Sequence, residues 1–207
     1  MQVLGRVLDR VAATALVCAL SAGVAFAQNA NDEGNAAGPT IEDLALGETV
    51  PEGEVAVGDY YTVEENGNWV VRCRKAASGQ DPCEMYQLLS DSQGTPIAEV
   101  VLFELPEGRP ASAGASVVVP LETSLQQQLL IRVDENPAKR YPFAFCDQIG
   151  CHARIGLTAE EVNAYRLGGE ALVVIVPFVA PDQQVEVVMS LSGFTASYDK
   201  VGELNGT

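Results

Sequence analysis

The chain has 207 residues, with 12 basic and 28 acidic side chains and a formal net charge of −16 at pH 7. This length predicts one domain or two. The excess of negative charge opposes electrostatic binding to nucleic acid or to an anionic membrane, so we expect neither as a partner.

The first 27 residues are organised like a signal peptide. A short basic segment with Arg6 and Arg10 precedes an apolar stretch over residues 11–27, which ends in Ala-Phe-Ala at 25–27. Small residues one and three positions before the cut are what signal peptidase accepts. The stretch is also short for a membrane span, which needs about 20 residues. We predict cleavage here, with no integral span in the mature protein, and an uncleaved anchor is the alternative.

Residues 28–67 form an acidic block with ten acidic residues and neither lysine nor arginine. Its few large apolar residues follow no helical or strand period, and such a composition does not offset the entropy cost of ordering. We interpret it as a disordered, solvated leader, and a docking strip for a basic partner is the alternative.

A domain over residues 68–204 shows mainly period-two alternation of apolar and polar residues, which is typical of half-buried strands. Residues 97–105 and 172–178 are apolar on both faces and are predicted to be central strands. Gly and Pro separate the strands. Eight or nine short strands predict an all-β, mainly antiparallel sandwich or barrel. The alternating segments are 69–73, 129–133, 141–145, 151–157 and 185–191.

Four cysteines remain after signal-peptide cleavage, and an even number in an exported chain predicts disulfides. They are Cys73, Cys83, Cys146 and Cys151, which allow three pairings. The spacing favours the local pairing, 73 with 83 and 146 with 151, because each pair flanks a turn-like segment. Closing such loops stabilises a fold by roughly 2–3 kcal/mol each. Redox-active pairs are more typically spaced C-x-x-C at a helix start, so we predict a structural role.

Two helices are predicted. Thr158 and Glu161 have the spacing of a capping box, which begins a helix. Gly168 and Gly169 are predicted to end it in the left-handed conformation that glycine permits. Residues 194–201 predict a second, weaker helix.

Several short motifs follow one another in a fixed order. They are Asn-Trp-Val-Val-Arg-Cys at 68–73, Cys83 after a short insert, Phe-Ala-Phe-Cys-Asp-Gln-Ile-Gly-Cys at 143–151, Leu-Gly-Gly at 167–169 and Ser-Leu-Ser-Gly-Phe at 190–194. In this order they resemble the invasion-associated locus B family of exported alphaproteobacterial proteins. The resemblance implies an envelope protein with a mostly β fold. It supplies no catalytic residues, and the long acidic leader departs from the family pattern.

His152 is the only histidine in the chain. Alternation places it beside Arg154 on the face opposite Cys151, so we expect its side chain to be solvent-exposed. A catalytic role would need a nucleophile or a carboxylate close by, and Asp147 is the neighbour in sequence. Cys151 is expected in a disulfide, which removes it as a nucleophile.

The sequence contains no nucleophile elbow, phosphate-binding loop, HExxH motif or EF-hand loop. Paired carboxylates occur in the leader, but calcium needs six to eight converging oxygens, which a disordered strip supplies poorly. We therefore predict no catalytic residue, no metal site and no cofactor.

Four aromatic residues at strand period are interpreted as core, with a ligand groove as the alternative. They are Trp69, Tyr141, Phe143 and Phe145. One local basic cluster is interpreted as a solvated outer face, which could instead meet the leader or an acidic partner. It comprises Arg72, Arg74 and Lys75.

The leading hypothesis is a non-catalytic binding or support protein of the envelope, located in the periplasm, with the cell surface or secretion as alternatives. Its partner would be an unidentified protein of the envelope or of a host surface. The rival hypothesis is a periplasmic thiol-redox or hydrolytic enzyme that uses Cys146, Cys151 and His152.

Overall fold

The computed structural model describes residues 53–207, together with residues 47 and 49. The predicted signal peptide (1–27) and, apart from those two positions, residues 28–52 of the predicted leader lie outside the described residues.

The described chain consists of strands with two α-helices and a 3-10 turn at Leu125–Gln127. In chain order the elements are β1 (Tyr60–Asn66), β2 (Trp69–Arg74), β3 (Cys83–Ser90), β4 (Pro96–Glu104), β5 (Ala113–Val119), β6 (Leu129–Val133), β7 (Lys139–Tyr141), β8 (Phe143–Cys146), β9 (Cys151–Leu157), α1 (Ala159–Leu167), β10 (Glu170–Ile175), β11 (Val185–Ser190) and α2 (Phe194–Asn205).

The strands form two antiparallel sheets. The larger sheet has seven strands in the order β1-β2-β3-β4-β5-β9-β8, and the smaller has four in the order β11-β10-β6-β7. The inward faces of both sheets and one face of α2 contribute to a single apolar core. The prediction of an all-β, mainly antiparallel fold is confirmed, and of its two alternatives the sandwich-like one is observed. The predicted central strands β4 and β10 each have a neighbour on both sides.

The folded domain begins earlier than the sequence predicts. Residues 60–66, assigned above to the disordered leader, form β1 and pair with β2 from Tyr60 opposite Arg74 to Asn66 opposite Trp69. That part of the prediction is wrong. β1 is an edge strand with mostly exposed side chains, so it shows no apolar alternation, and the backbone hydrogen bonds of the ladder hold it in place.

The predicted capping box at the start of α1 is confirmed. The Glu161 amide donates to the Thr158 hydroxyl, and the Glu161 carboxylate accepts the Thr158 amide at 2.8 Å. The predicted left-handed end is wrong, because Gly168 is extended at φ −77°. A glycine is needed at position 168 for packing instead, because a Cβ there would lie 2.8 Å from Leu191 and 2.9 Å from Val133.

The second helix is longer than predicted, since it runs from Phe194 to Asn205. Gly193, just before it, has φ +87° and packs directly on the Asn66 carbonyl, where a Cβ would overlap. Phe194 is fully buried and meets the edge of Trp69 with ring centroids 5.6 Å apart. The Ser-Leu-Ser-Gly-Phe motif therefore joins the end of the small sheet to the core of the large one.

Candidate functional site

The structure has both disulfides in the local pairing that the spacing favours. Cys73 and Cys83 face each other across β2 and β3, and both are buried. Cys146 and Cys151 face each other across β8 and β9, at the mouth of a four-residue turn. Cys146 is solvent-exposed, whereas Cys151 is buried.

The turn between β8 and β9 is held by Asp147. Its Oδ1 accepts the Ile149 amide at 2.8 Å and the Gly150 amide at 3.2 Å, and its own amide donates to the Gly150 carbonyl. The Ile149 hydrogen bond, with a further contribution from His152, lowers the pKa of the Asp147 carboxyl below its ordinary value. The disulfide and this carboxylate together fix the conformation of the hairpin.

His152 lies beside this turn, and its expected exposure is wrong. Only 15% of its side chain is exposed, because its ring stacks on Phe145 with centroids 4.5 Å apart and an interplanar angle of 14°. Its Nε2 is buried 3.1 Å from Asp147 Oδ2, which is ion-pair distance without the alignment of a hydrogen bond. Arg154 adds a cation–π contact to Phe145 at 5.1 Å.

Phe145 also differs from its predicted core position. It is 41% exposed and lies over His152, because the β8–β9 register shifts between Phe143 and Phe145. The other three aromatic residues agree better with the core interpretation, since Trp69 is fully buried and Tyr141 and Phe143 pack on the core with partial exposure.

The disulfide, Asp147 and His152 stabilise the hairpin, and they do not form a nucleophile paired with a base. Both sulfur atoms are bonded to each other, so neither is a thiolate nucleophile. Among the described residues, His152 makes no hydrogen bond to a hydroxyl or thiol that it could activate as a general base. Residues 53–207 contain no group of three or more His, Cys, Asp or Glu side chains placed to bind a metal ion.

The basic cluster predicted on β2 is largely engaged within the described domain. The Arg72 guanidinium pairs with Glu84 at 2.7 Å and lies over the rings of Tyr60 and Tyr86, at 4.4 and 3.9 Å from their centroids. Lys75 pairs with Asp81 at 3.3 Å. Arg74 remains exposed, with its Nε donating to the Gly58 carbonyl.

An apolar depression of about 380 Å³ lies against the Cys146–Cys151 disulfide. We call it the hairpin groove, and its apolar lining comes from Leu121, Leu125, Phe178 and Val179. All four side chains are exposed, Phe178 by 68% and Val179 by 78%. A cluster of large, exposed apolar side chains often marks a surface that binds another molecule.

A second apolar depression, of about 260 Å³, includes the tip of the hairpin in its lining. Leu88, Ile97 and Val118 line it, and Ile149 from the tip of the turn reaches its edge with 77% of its surface exposed. The disulfide-closed hairpin therefore lines two apolar depressions, one with its cysteines and the other with Ile149.

Sequence reasoning identified the hairpin but missed both depressions. Leu121 and the pair Phe178-Val179 are large apolar residues in turns next to Pro120 and Pro177, where polar residues are usual. That mismatch is the signal that could have identified them. Their meeting at one groove depends on loops more than 50 positions apart in sequence.

No helix within the described part of the chain is long and apolar enough to cross a membrane. Two antiparallel sheets over one core, two disulfides and an exposed apolar surface around a stapled hairpin define the class: a disulfide-bonded, sandwich-like β protein. Such disulfides fit an exported protein.

Comparison with known proteins identifies the family. The family model described as "Invasion associated locus B (IalB) protein" matches residues 69–202. The chain therefore belongs to the invasion-associated locus B family, which confirms the resemblance noted in the sequence.

Relatives agree with this assignment. An invasion protein B homolog from Brucella abortus (strain 2308) is 25% identical over 137 residues, which cover 66% of this chain and 77% of the relative. A homolog from Brucella abortus biovar 1 (strain 9-941) matches with the same values. The crystal structure of invasion associated protein B from Bartonella henselae superposes with a TM-score of 0.59 at 19% identity, over 70% of this chain and 98% of that one. This structural likeness shows a shared fold.

Proposed function

We propose that this chain is an exported, non-catalytic module of the bacterial envelope that binds another protein through the surface around the Cys146–Cys151 hairpin. The periplasm is the proposed compartment, with surface exposure or secretion as alternatives. The partner belongs to the envelope or to a host surface, the latter suggested by the word "invasion" in the names of the relatives.

One observation carries the proposal: a covalently closed hairpin lines two apolar depressions, and large apolar side chains of both are exposed to solvent. Leaving large apolar side chains in water costs about 1.5–3 kcal/mol each relative to burying them. A surface that is fixed before binding also loses little conformational entropy when a partner covers it.

The rival enzyme has less support from the same residues. A thiol-redox or hydrolytic mechanism would need a thiolate at Cys146 or Cys151, or a base at His152 that reaches a substrate. The two sulfur atoms form a disulfide, and the His152 Nε2 is buried against the Asp147 carboxylate.

Site-specific photo-crosslinking in intact envelopes tests the proposal. A photoreactive residue at Phe178 is expected to give a discrete protein adduct. The matched position is Glu107, which is also exposed but lies in the β4–β5 turn, at the end of β4 away from Ile97. It is expected to give none.

Two results would reverse the proposal. One is free thiols at 146 and 151 in protein isolated from cells without reductant. The other is turnover of a substrate that disappears in His152→Ala, because a surface module has no need of that imidazole.

A further inference from the structure

We propose that the hairpin groove binds an apolar peptide segment of its partner protein in which lysine or arginine stands next to the apolar side chains. This inference rests on the proposed function and names the chemistry of the ligand.

The groove has the size and lining of a peptide-binding depression. Its volume of about 380 Å³ falls within the range of roughly 300–1,000 Å³ that ligand sites occupy. The disulfide lines it together with two loops, which we call its walls: one carries Leu121 and Leu125, and the other carries Phe178 and Val179. A depression of this volume has room for two or three apolar side chains of a peptide.

The two walls are fixed to each other by backbone hydrogen bonds. The Phe178 amide donates to the Glu122 carbonyl at 2.7 Å, and the Ser124 amide donates to the Val176 carbonyl at 2.7 Å, around a bridge between Thr123 and Pro177. Thr123 and Ser124 are themselves buried. The groove thus exists before a ligand arrives, so binding does not have to order these loops.

The charge that lines the groove favours a basic ligand. Among residues 53–207, Glu122 is the one charged residue that lines it, and no lysine, arginine or histidine of that range does so. Asp147 lies in the adjoining hairpin with 43% of its side chain exposed, and its carboxyl is ionised at neutral pH because the Ile149 hydrogen bond lowers a pKa that is already acidic. The chain as a whole carries −16. A segment with Lys or Arg beside its apolar residues is attracted to this surface, and an acidic segment is repelled.

The same charges disfavour the other occupants of an apolar groove. A second copy docked by twofold symmetry would place two copies of the same acidic patch, which contains Glu122 and Asp147, against each other, because a twofold interface uses the same patch twice. An anionic bilayer would repel the same carboxylates. A basic, apolar protein segment meets neither obstacle.

Peptide binding to the whole exported protein, purified from cells, tests the inference. The probe is a labelled 12-residue peptide of alternating leucine and lysine, and its partner probe has glutamate in place of every lysine. Fluorescence anisotropy is expected to show the lysine peptide binding at least tenfold more tightly than the glutamate peptide, with an affinity that falls as salt is raised.

Variants locate the binding. Phe178→Ser is expected to weaken the lysine peptide at least fivefold. Leu167→Ser is the matched control, since Leu167 is 80% exposed at the end of α1 and lines neither depression. Glu122→Lys is expected to reverse the preference between the two peptides, whereas Glu107→Lys adds the same charge in the β4–β5 turn and leaves the preference unchanged.

The negative outcomes separate this inference from the proposed function. Equal binding of the two peptides, or an unchanged preference in Glu122→Lys, overturns the basic ligand. Sedimentation of the chain with neutral phosphatidylcholine vesicles, or a dimer that Phe178→Ser dissociates in ultracentrifugation, also overturns it in favour of a bilayer or a second copy. If the peptides fail to bind but position 178 still crosslinks to a protein in envelopes, the proposed ligand class is wrong. The proposed protein-binding function is then still supported.

Discussion

The side-chain amide of Gln87 is hydrogen-bonded in both directions to the backbone of Ser190. The Gln87 Nε2 donates to the Ser190 carbonyl at 2.9 Å, and the Ser190 amide donates to the Gln87 Oε1 at 2.9 Å. The Trp69 indole donates to the same carbonyl at 2.9 Å. Since Gln87 lies on β3 and Ser190 ends β11, this pair sets how one sheet meets the other.

Replacing Gln87 with methionine is expected to lower the free energy of unfolding by about 1–3 kcal/mol, because the Ser190 amide loses its partner in a buried place. Methionine fills a similar volume, so little of the loss comes from a cavity. Urea unfolding with the disulfides intact measures it. Gln93→Met, at an exposed position in the β3–β4 turn, is the control and is expected to change stability by less than about 0.5 kcal/mol. Equal stability of the two variants would contradict the role given to Gln87.

The parts of the fold that could be predicted are those determined by a local sequence pattern. Alternation identified β2, β9 and β11, and the capping box identified α1, because each depends on neighbours in sequence. Gln87 was not predictable, since a glutamine at an inward position of β3 finds its partner 103 positions away. β1 was missed for a related reason: its pairing with β2 holds it, while its own side chains remain mostly exposed.

The candidate site also contains some features that a local sequence pattern predicts and others that it does not. The cysteine pairing and the face of His152 opposite Cys151 follow from spacing and alternation. The exposure of Phe145 does not, because a register shift in β8 turns its ring over His152. The hairpin groove requires the meeting of two distant loops, so no local pattern contains it.

The two disulfides are expected to differ in how readily they are reduced in the folded protein. A reductant must reach a sulfur atom, and Cys146 is exposed whereas Cys73 and Cys83 are 1% and 6% exposed. Brief dithiothreitol treatment, followed by alkylation and mass spectrometry, should label 146 and 151 first and label 73 and 83 only when urea is added. Labelling of all four at one rate would show that reduction follows global unfolding instead.

Glu161 is expected to make stability depend on pH. Burial by itself raises the pKa of this carboxyl, but hydrogen bonds from Lys139 and Thr158 outweigh it and hold the pKa below its ordinary value of 4.5. A lowered folded-state pKa contributes stability above the unfolded value, and that contribution is lost as the pH falls through the folded value.

The measurement is the difference in unfolding free energy between about pH 6 and about pH 3.5, for the natural chain and for Glu161→Gln. The variant is expected to show the smaller decrease, since glutamine has no charge to lose. Glu160→Gln, the exposed neighbour in sequence, should decrease as the natural chain does. A decrease in Glu161→Gln as large as that of the natural chain would remove Glu161 as a source of the pH dependence.

Gly150 is expected to tolerate no side chain, for reasons of packing and not of backbone conformation. A Cβ there would overlap the Val119 carbonyl oxygen and lie 2.9 Å from the Val118 side chain, so the hairpin rests directly on the end of β5. Gly150→Ala must push the turn away from β5, while the disulfide prevents the turn from opening freely. Overpacking of this kind costs about 1–3 kcal/mol.

Gly169→Ala is the matched control, because the nearest atom to its Cβ would be 3.7 Å away and its amide can still donate to Asp134. Urea unfolding should separate the two variants by more than about 1 kcal/mol. Because the Cys146–Cys151 disulfide lines the hairpin groove and moves with the turn, Gly150→Ala should also reduce crosslinking from position 178. Loss of stability alone does not produce this effect in a variant that remains folded. If Gly150→Ala has the stability and crosslinking of the natural chain, the hairpin is not packed on β5. The binding function would then lose its support, because it is argued from a surface that this packing holds fixed.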